Sequence, residues 1–94
     1  MNIKSIFSTE KPLQTKKIFA STEGVIAIQI LANHQLKEHI TTIPALLICV
    51  MGEVIFENEN GISETLLAGD FINIEPHVKH WVNATNDSNL LLIK

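Results

Sequence analysis

The chain has 94 residues, of which 46% are hydrophobic and 18% are charged, and its formal net charge is −3 at pH 7. A chain of this length holds one hydrophobic core, and we expect a single domain over residues 1–94. The charged fraction is too low for a disordered chain. The largest basic cluster is Lys16-Lys17, which gives no electrostatic basis for binding nucleic acid or an anionic membrane.

The N-terminus has no apolar stretch as long as the central region of a signal peptide. No later apolar run approaches the roughly 20 residues that span a bilayer, because Pro44 and Gly52 bound the longest one. We therefore expect a soluble, cytoplasmic protein without a membrane segment.

In the first half of the chain, short runs rich in Ile and Val predict β-strands. Residues 17–20 are predicted as a first short strand, and residues 25–31 as a second, since β-branched residues favour strands over helices. A turn at residues 32–35 leads to a polar strand over residues 36–42, which contains His39 and ends before Pro44.

In the second half, residues 45–51 predict a buried strand that ends at Gly52. Residues 53–57 alternate, with Val54 and Phe56 on one face. Asn60-Gly61 predicts a hairpin turn, because such turns need positive φ angles. No sustained helical spacing occurs, so the sequence predicts an all-β protein. The remaining predicted strands cover residues 62–67, 71–74, 80–84 and 89–93.

Two segments resemble the two motifs of the cupin superfamily, G-x5-H-x-H-x(3–4)-E-x6-G and G-x5-P-x-G-x2-H-x3-N. In residues 33–52, Gly52 takes the closing glycine position and His39 the first histidine position. In residues 69–84, Gly69 takes the opening glycine position and His80 the histidine position. The resemblance covers about residues 30–94, and it implies a double-stranded β-helix, the jelly-roll barrel of cupins.

The resemblance also implies a metal site, because cupins bind metal through two histidines and a glutamate of the first motif and the histidine of the second. Of these four ligands this chain keeps His39 and His80, while Thr41 takes the second histidine position and Ala45 the glutamate position. Threonine is a poor neutral ligand, and alanine has no ligand atom. The motif that supplies most of the metal ligands in cupins is therefore degenerate here.

His39 and His80 are the candidate ligands of a weakly held divalent transition metal, for which Zn, Fe, Ni and Mn are all open. His77, three residues before His80, is a candidate third ligand, although it takes a glycine position of the second motif. The alternative is that His39 and His80 form hydrogen bonds with each other or with a backbone carbonyl and bind no metal. A carboxylate would complete a two-histidine site, as in the facial triad of non-haem iron enzymes. Glu38 has the wrong parity to join His39, whereas Glu75, which takes a proline position at the mouth of the barrel, is left as either a further ligand or a solvated side chain.

Residues two apart in a strand face the same way, so the residues that share the parity of the two histidines are expected to line a pocket inside the barrel. Apolar surroundings and the absence of a second cysteine make a structural role for Cys49 the expected one. The predicted pocket-lining residues are Thr41, Ala45, Leu47, Cys49 and Val82.

Three functions remain open on this sequence. The first is a module that binds a small-molecule ligand or a loosely held metal without turnover. The second is a metal-dependent enzyme of the dioxygenase, isomerase or decarboxylase type, and the third is a purely structural unit. We also expect a homodimer, because a second copy can cover the apolar edge strands that residues 17–20 and 25–31 predict.

Overall fold

The structure, a computed structural model, describes residues 1–8 and 10–94. Within these residues the chain forms eight antiparallel strands in two four-stranded sheets, and its only helix is a 3-10 turn at Ile3–Ser5. The predicted all-β class is confirmed. The strands are β1 (Val25–Ile30), β2 (Gln35–His39), β3 (Ala45–Met51), β4 (Glu53–Asn58), β5 (Ser63–Leu67), β6 (Phe71–Ile74), β7 (His80–Ala84) and β8 (Ser88–Ile93).

The two sheets have the strand orders β1-β8-β3-β6 and β2-β7-β4-β5. The chain passes back and forth between the sheets and changes sheet after every strand except β4, which forms a hairpin with β5. This is the jelly-roll winding of a double-stranded β-helix, as the sequence predicts. Each sheet has two edge strands, β1 and β6 in the first sheet and β2 and β5 in the second.

The core lies between the sheets and consists of alternate residues of the strands. On β4, Val54 and Phe56 are 0% and 2% exposed while their neighbours are half-buried, which confirms the predicted alternation. Aliphatic side chains of both sheets interdigitate in this layer. The core residues are Ile30, Ala45, Leu47, Cys49, Val54, Phe56, Leu66, Ile74, Val82, Ala84, Leu90 and Leu92.

The strand predicted over residues 17–20 is wrong, because this segment pairs with no strand. It belongs to an N-terminal arm over the outer face of the first sheet, where Ile18 and Phe19 pack on the buried side chains of Leu46 and Ile48. Apolar contacts hold the arm here in place of a hydrogen-bond ladder. Its far end is held by backbone N–H groups of residues 22–24, which donate to the carbonyl of Lys94.

The polar strand predicted over residues 36–42 is shorter in the structure and ends at His39. The chain bends before Pro44, since the residue preceding a proline is restricted in its backbone angles. The carbonyl of Thr41 accepts a hydrogen bond from the N–H of His77 across the bend. In residues 1–8 and 10–94, no helix is long and apolar enough to cross a membrane.

Candidate functional site

The pairing of β2 with β7 places His39 directly opposite His80, although the two residues are 41 positions apart in the sequence. The ring centroids lie 4.2 Å apart, and the ring planes meet at 60° in an edge-to-face contact. The structure therefore brings together the two histidines that the motif comparison singled out.

A β-bulge in β2 produces this meeting. Leu36 pairs with Val82, but His39 rather than residue 38 pairs with His80, so β2 holds one extra residue between the two pairs. Without the extra residue, His39 would face away from Leu36, which packs against the core. The bulge turns His39 inward and leaves Glu38 outside, where it forms an exposed ion pair with Lys79 at 3.4 Å.

His80 is the buried member of the pair, with 2% of its surface exposed. Its ring stacks on Phe56 at a centroid distance of 5.7 Å and an interplanar angle of 24°. Burial lowers the pKa of His80, and the nearby charges of His39 and Lys94 lower it further, against the opposing effect of the Val78 carbonyl. His80 is therefore a neutral imidazole at neutral pH.

The hydrogen bonds of the pair determine which nitrogen of each ring carries the hydrogen. Nδ1 of His39 lies 2.9 Å from the carbonyl oxygen of Lys37, and Nδ1 of His80 lies 3.3 Å from that of Val78. A carbonyl oxygen only accepts, so each Nδ1 is the donor and each neutral ring has a bare Nε2. Neither Nε2 has a hydrogen-bond partner in the described part of the chain. The site therefore presents two free lone pairs.

Thr41, two residues beyond His39, is 4% exposed, and its Oγ1 has no hydrogen-bond partner among residues 1–8 and 10–94. A buried hydroxyl without a partner costs about 1–3 kcal/mol. Such a group fits a place where a water or a ligand supplies the missing hydrogen bond. Thr41 takes the position that a metal-binding histidine has in the motif it resembles, so the unsatisfied hydroxyl belongs to a residue that the sequence predicts to line the pocket.

The other predicted pocket-lining side chains, those of Ala45, Leu47, Cys49 and Val82, all face the barrel interior and are at most 1% exposed. They belong to the packed core, and the depressions that lie beside residues 23–26, 28–36, 43–44 and 71–73 are lined by other side chains. Their role in lining a ligand site stays a prediction. Burial and the charge of Asp70 raise the pKa of the Cys49 thiol, so this cysteine is a protonated core residue.

The structure does not join His77 to the pair. His77 is exposed, and no group of three His, Cys, Asp or Glu residues in the described chain could hold a metal ion. Glu75 and His34 are also exposed, and His34 lines a depression of 300 Å³ beside β1. The site thus offers two imidazoles, whereas a closed zinc site takes four protein ligands. This set does not fit a tightly bound metal.

Asn33 and His77, which take the opening glycine position of the first motif and the inner glycine position of the second, both have a left-handed backbone. Asn33 has φ 66° and His77 has φ 64°, and among the described residues they are the only non-glycine residues with positive φ. Asn and His tolerate this conformation better than most residues do. The backbone of both cupin turns is therefore retained although the glycines are replaced, and a turn explains His77 without a metal.

Sequence reasoning missed two contacts on β4. It did not find the stacking of His80 on Phe56. The alternation of residues 53–57 predicts that Phe56 faces inward, but it does not predict which side chain Phe56 contacts. It also did not find that Glu57 accepts a hydrogen bond from Nε1 of Trp81 at 3.3 Å on the outer face of the second sheet. Both contacts depend on the β4–β7 register, which no local pattern specifies.

Several solved structures have the same fold as this chain. A cupin superfamily protein from Desulfitobacterium hafniense matches 100% of this chain and 87% of its own length, with a TM-score of 0.70 and 14% identity. An RmlC-like cupin from Shewanella frigidimarina matches 73% of this chain and 63% of its own, with a TM-score of 0.63 and 21% identity.

A conserved protein of unknown function from Streptococcus pyogenes matches 74% of this chain with a TM-score of 0.70 and 14% identity. This chain spans only 60% of that protein's length. No family profile matches the sequence, and no curated protein shows significant sequence similarity to it. The structural similarity establishes the fold. The sequence identities are too low to carry over a function, which has to be argued from the site.

Proposed function

The chain has the cupin fold, and on that premise we propose that it is a binding module whose ligand is held by the His39–His80 pair. The ligand class is a small polar molecule with a hydroxyl or N–H donor, or a single divalent metal ion held loosely. Both share the electron-poor centre that a bare imidazole nitrogen attracts.

The observation that carries the proposal is the presence of two free Nε2 lone pairs on adjacent rings whose Nδ1 hydrogens are already committed. The carbonyls of Lys37 and Val78 fix the rings before a ligand arrives, so little orientation entropy is lost on binding. The unsatisfied hydroxyl of Thr41 supplies a further polar group in the same part of the chain.

Metal-dependent catalysis is the weaker alternative, because it needs a more complete ligand set. The facial triad of non-haem iron enzymes takes two histidines and a carboxylate. Glu38 is turned outward to Lys79, and Glu75 is exposed, so among the described residues no carboxylate completes the pair. If a metal binds, His39 and His80 hold it, and it offers open positions to a ligand rather than a closed site.

The experiment is an NMR titration of the imidazole nitrogens with Zn²⁺ and, separately, with a library of small hydroxyl and amide compounds. Binding should shift the Nε2 resonances of both His39 and His80, and zinc should bind weakly because only two protein ligands hold it. His39→Ala should abolish the response, while His34→Ala, a change at an exposed turn histidine, should leave it intact.

Shifts at His34 or His77 alone, or an unchanged response in His39→Ala, would assign the binding to another site. Elemental analysis of protein purified without added metal or chelator provides an independent measurement. A stoichiometric metal that survives dialysis would contradict loose binding and favour the enzymatic alternative.

A further inference from the structure

The outer face of the second sheet carries the only tryptophan of the chain, Trp81. Trp81 on β7 pairs with Glu57 on β4, and its Nε1 donates to the Glu57 carboxylate at 3.3 Å. The side-chain amide of Asn83, the next outward residue of β7, donates to the same oxygen at 3.5 Å. These bonds hold the half-buried indole across two strands, beside a half-buried carboxylate.

Glu53, four residues before Glu57, lies on the same outer face of β4 and is also half-buried. The hydroxyl of Thr85 donates to its Oε2 at 2.8 Å. The half-buried side chain of Ile55 lies between the two glutamates on this face. The outer face of β4 therefore presents a carboxylate, an apolar side chain and a second carboxylate along about 13 Å of strand.

Neither of these two carboxylates has a cation beside it. The only ion pair within residues 1–8 and 10–94 joins Glu38 to Lys79. Hydrogen bonds from neutral groups reduce the cost of partly burying Glu53 and Glu57, but they leave both negative charges in place. The face of the Trp81 indole attracts cations as well. Cationic groups are thus the partners that this surface lacks.

The charges of the strands are confined to the second sheet. The four strands of the first sheet contain no charged residue. Those of the second sheet contain one lysine and four glutamates, which gives them a net charge of −3. A surface of one sign attracts and orients a partner of the opposite sign. The charged strand residues are Lys37, Glu38, Glu53, Glu57 and Glu64.

We propose that the outer face of the second sheet binds a basic segment of a partner protein, with one arginine on Trp81 and Glu57 and a second on Glu53. Arginine suits the first position better than lysine, because its planar guanidinium stacks on an indole and donates to a carboxylate at the same time. In an extended segment, side chains four residues apart face the same way and have the spacing of Glu53 and Glu57. The residue midway between them contacts Ile55.

The shape of the surface favours a protein segment over a small cation as the occupant. Sites for small molecules are concave, whereas Trp81, Glu57 and Asn83 stand on an open sheet face. They line none of the depressions beside residues 23–26, 28–36, 43–44 and 71–73. A half-buried tryptophan with a rim of exposed polar residues, here Ser63 and Thr65 of β5, has the composition of an interface hot spot.

Intrinsic fluorescence measures this binding directly, since the chain has one tryptophan and no tyrosine. The probe is the blocked pentapeptide Arg-Ser-Val-Ser-Arg, which should change the emission of Trp81 and shift the amide resonances of β4 and β7. The same peptide with citrulline at both ends keeps the planar shape without the charge and should bind at least about ten-fold more weakly. Equal binding of the citrulline peptide, or no response to the arginine peptide at millimolar concentration, overturns the proposal.

Glu57→Gln tests the charge without removing the hydrogen bond, because the amide oxygen still accepts the N–H of Trp81. Glu57→Gln and Glu53→Gln should each weaken peptide binding about five-fold. Glu64→Gln is the matched control, since it removes the same charge from an exposed residue that pairs with inward-facing Phe56. It should leave the affinity within about two-fold. Equal losses in all three variants would mean that only net charge matters and would overturn the proposal.

A peptide of the same composition, Arg-Arg-Ser-Val-Ser, tests the spacing. Adjacent side chains of an extended chain point to opposite sides, so only one of its arginines faces the sheet, and it should bind about five-fold more weakly. Equal affinity, or equally tight binding of argininamide alone, would make the surface a site for a small cation and overturn the proposal. His39→Ala should bind the pentapeptide unchanged, because His39 faces the barrel interior, so this surface and the histidine site are tested separately.

Discussion

His39 and His80 stand opposite each other with their ring centroids 4.2 Å apart, one half-buried and the other 2% exposed. The pair therefore reaches from the surface of the barrel into its core. His39 is the ring that solvent reaches, while His80 lies behind it as a fixed neutral ring that stacks on Phe56. The two histidines are consequently expected to contribute differently to stability and to the proposed binding.

The first prediction concerns the tautomers of the pair. At pH 8 both rings should carry their hydrogen on Nδ1, because the carbonyls of Lys37 and Val78 can only accept. The imidazole ¹⁵N shifts in a long-range correlation spectrum distinguish the two tautomers directly. Exposed His34 should show the mixture of a free imidazole, and Nε2–H forms of His39 and His80 would remove the basis of the proposed site.

The second prediction compares how much each of the two histidine rings contributes to the free energy of unfolding. His80→Ala removes a buried ring that stacks on Phe56 and should lower the free energy of unfolding by about 2–4 kcal/mol. His39→Ala, at a half-buried position, should cost about 1 kcal/mol or less. Urea denaturation measures both. Equal losses would show that His39 is as much a core residue as His80.

Much of the fold could be predicted from the sequence because local signals recorded it. The strands at residues 45–51, 71–74 and 80–84 have the boundaries that the sequence predicts; Pro44 and Gly52 bound the first of them, and Gly69 and Pro76 lie on either side of the second. A strand was wrongly predicted over residues 17–20, because the adjacent apolar residues Ile18 and Phe19 resemble part of a strand. Their partner is the outer face of a sheet formed by distant segments, which the local pattern does not contain.

The meeting of His39 and His80 could be predicted from the motif register alone, and its cause could not. A bulge inserts one residue into β2, and nothing in the alternation of residues 35–39 marks the position of that residue. The sequence places His39 on the inward face and Glu38 on the outward face, and this is correct for the end of β2 that follows the bulge. Beyond the bulge, Leu36 follows the opposite parity and still packs on the core.

The third prediction concerns Cys49, whose thiol pKa is raised by burial and by the charge of Asp70. A protonated thiol with no exposed surface should react with a disulfide reagent only when the chain unfolds. Reaction in buffer and in denaturing urea, followed by absorbance, measures the difference. Rapid modification of the folded protein would show that the β3 core opens on the time scale of the assay.

The fourth prediction concerns acid sensitivity. The pKa of Asp70 is lowered chiefly by the backbone N–H of Leu67, which donates to its carboxylate at 2.7 Å, and then by the side-chain amide of Asn2 at 2.8 Å. A carboxyl with a lowered folded-state pKa stabilises the fold above its unfolded value, here 3.8, and this contribution is lost as the pH falls through the folded value.

Urea denaturation between pH 7 and pH 2 tests this coupling. The difference in unfolding free energy between the unmodified chain and Asp70→Asn should be largest at neutral pH and should shrink below about pH 4. Asn2→Ala removes one of the two donors and should give an intermediate pH dependence. A difference that does not change with pH would mean that the charged form of Asp70 has no special stability in the fold.

The last prediction contrasts two glycines that share a positive φ and differ in their surroundings. Gly52 has φ 97° and Gly61 has φ 86°. A Cβ at Gly61 would meet no atom within 4 Å, so Gly61→Ala should cost only the backbone strain, about 1–2 kcal/mol. A Cβ at Gly52 would overlap Ser88 and the backbone oxygen of Asp87, so the end of β3 and the start of β8 would have to separate.

Gly52→Ala should therefore destabilise the fold by more than the strain alone, roughly 3 kcal/mol or more, which is a large part of the stability of a small domain. Thermal and urea unfolding of the two variants measure the contrast. Ser88 is fully buried and its Oγ accepts the N–H of Glu53, so the displaced group cannot move without losing a hydrogen bond. Equal losses in Gly52→Ala and Gly61→Ala would mean that the first motif ends in glycine for its backbone angle and not for this close contact with β8.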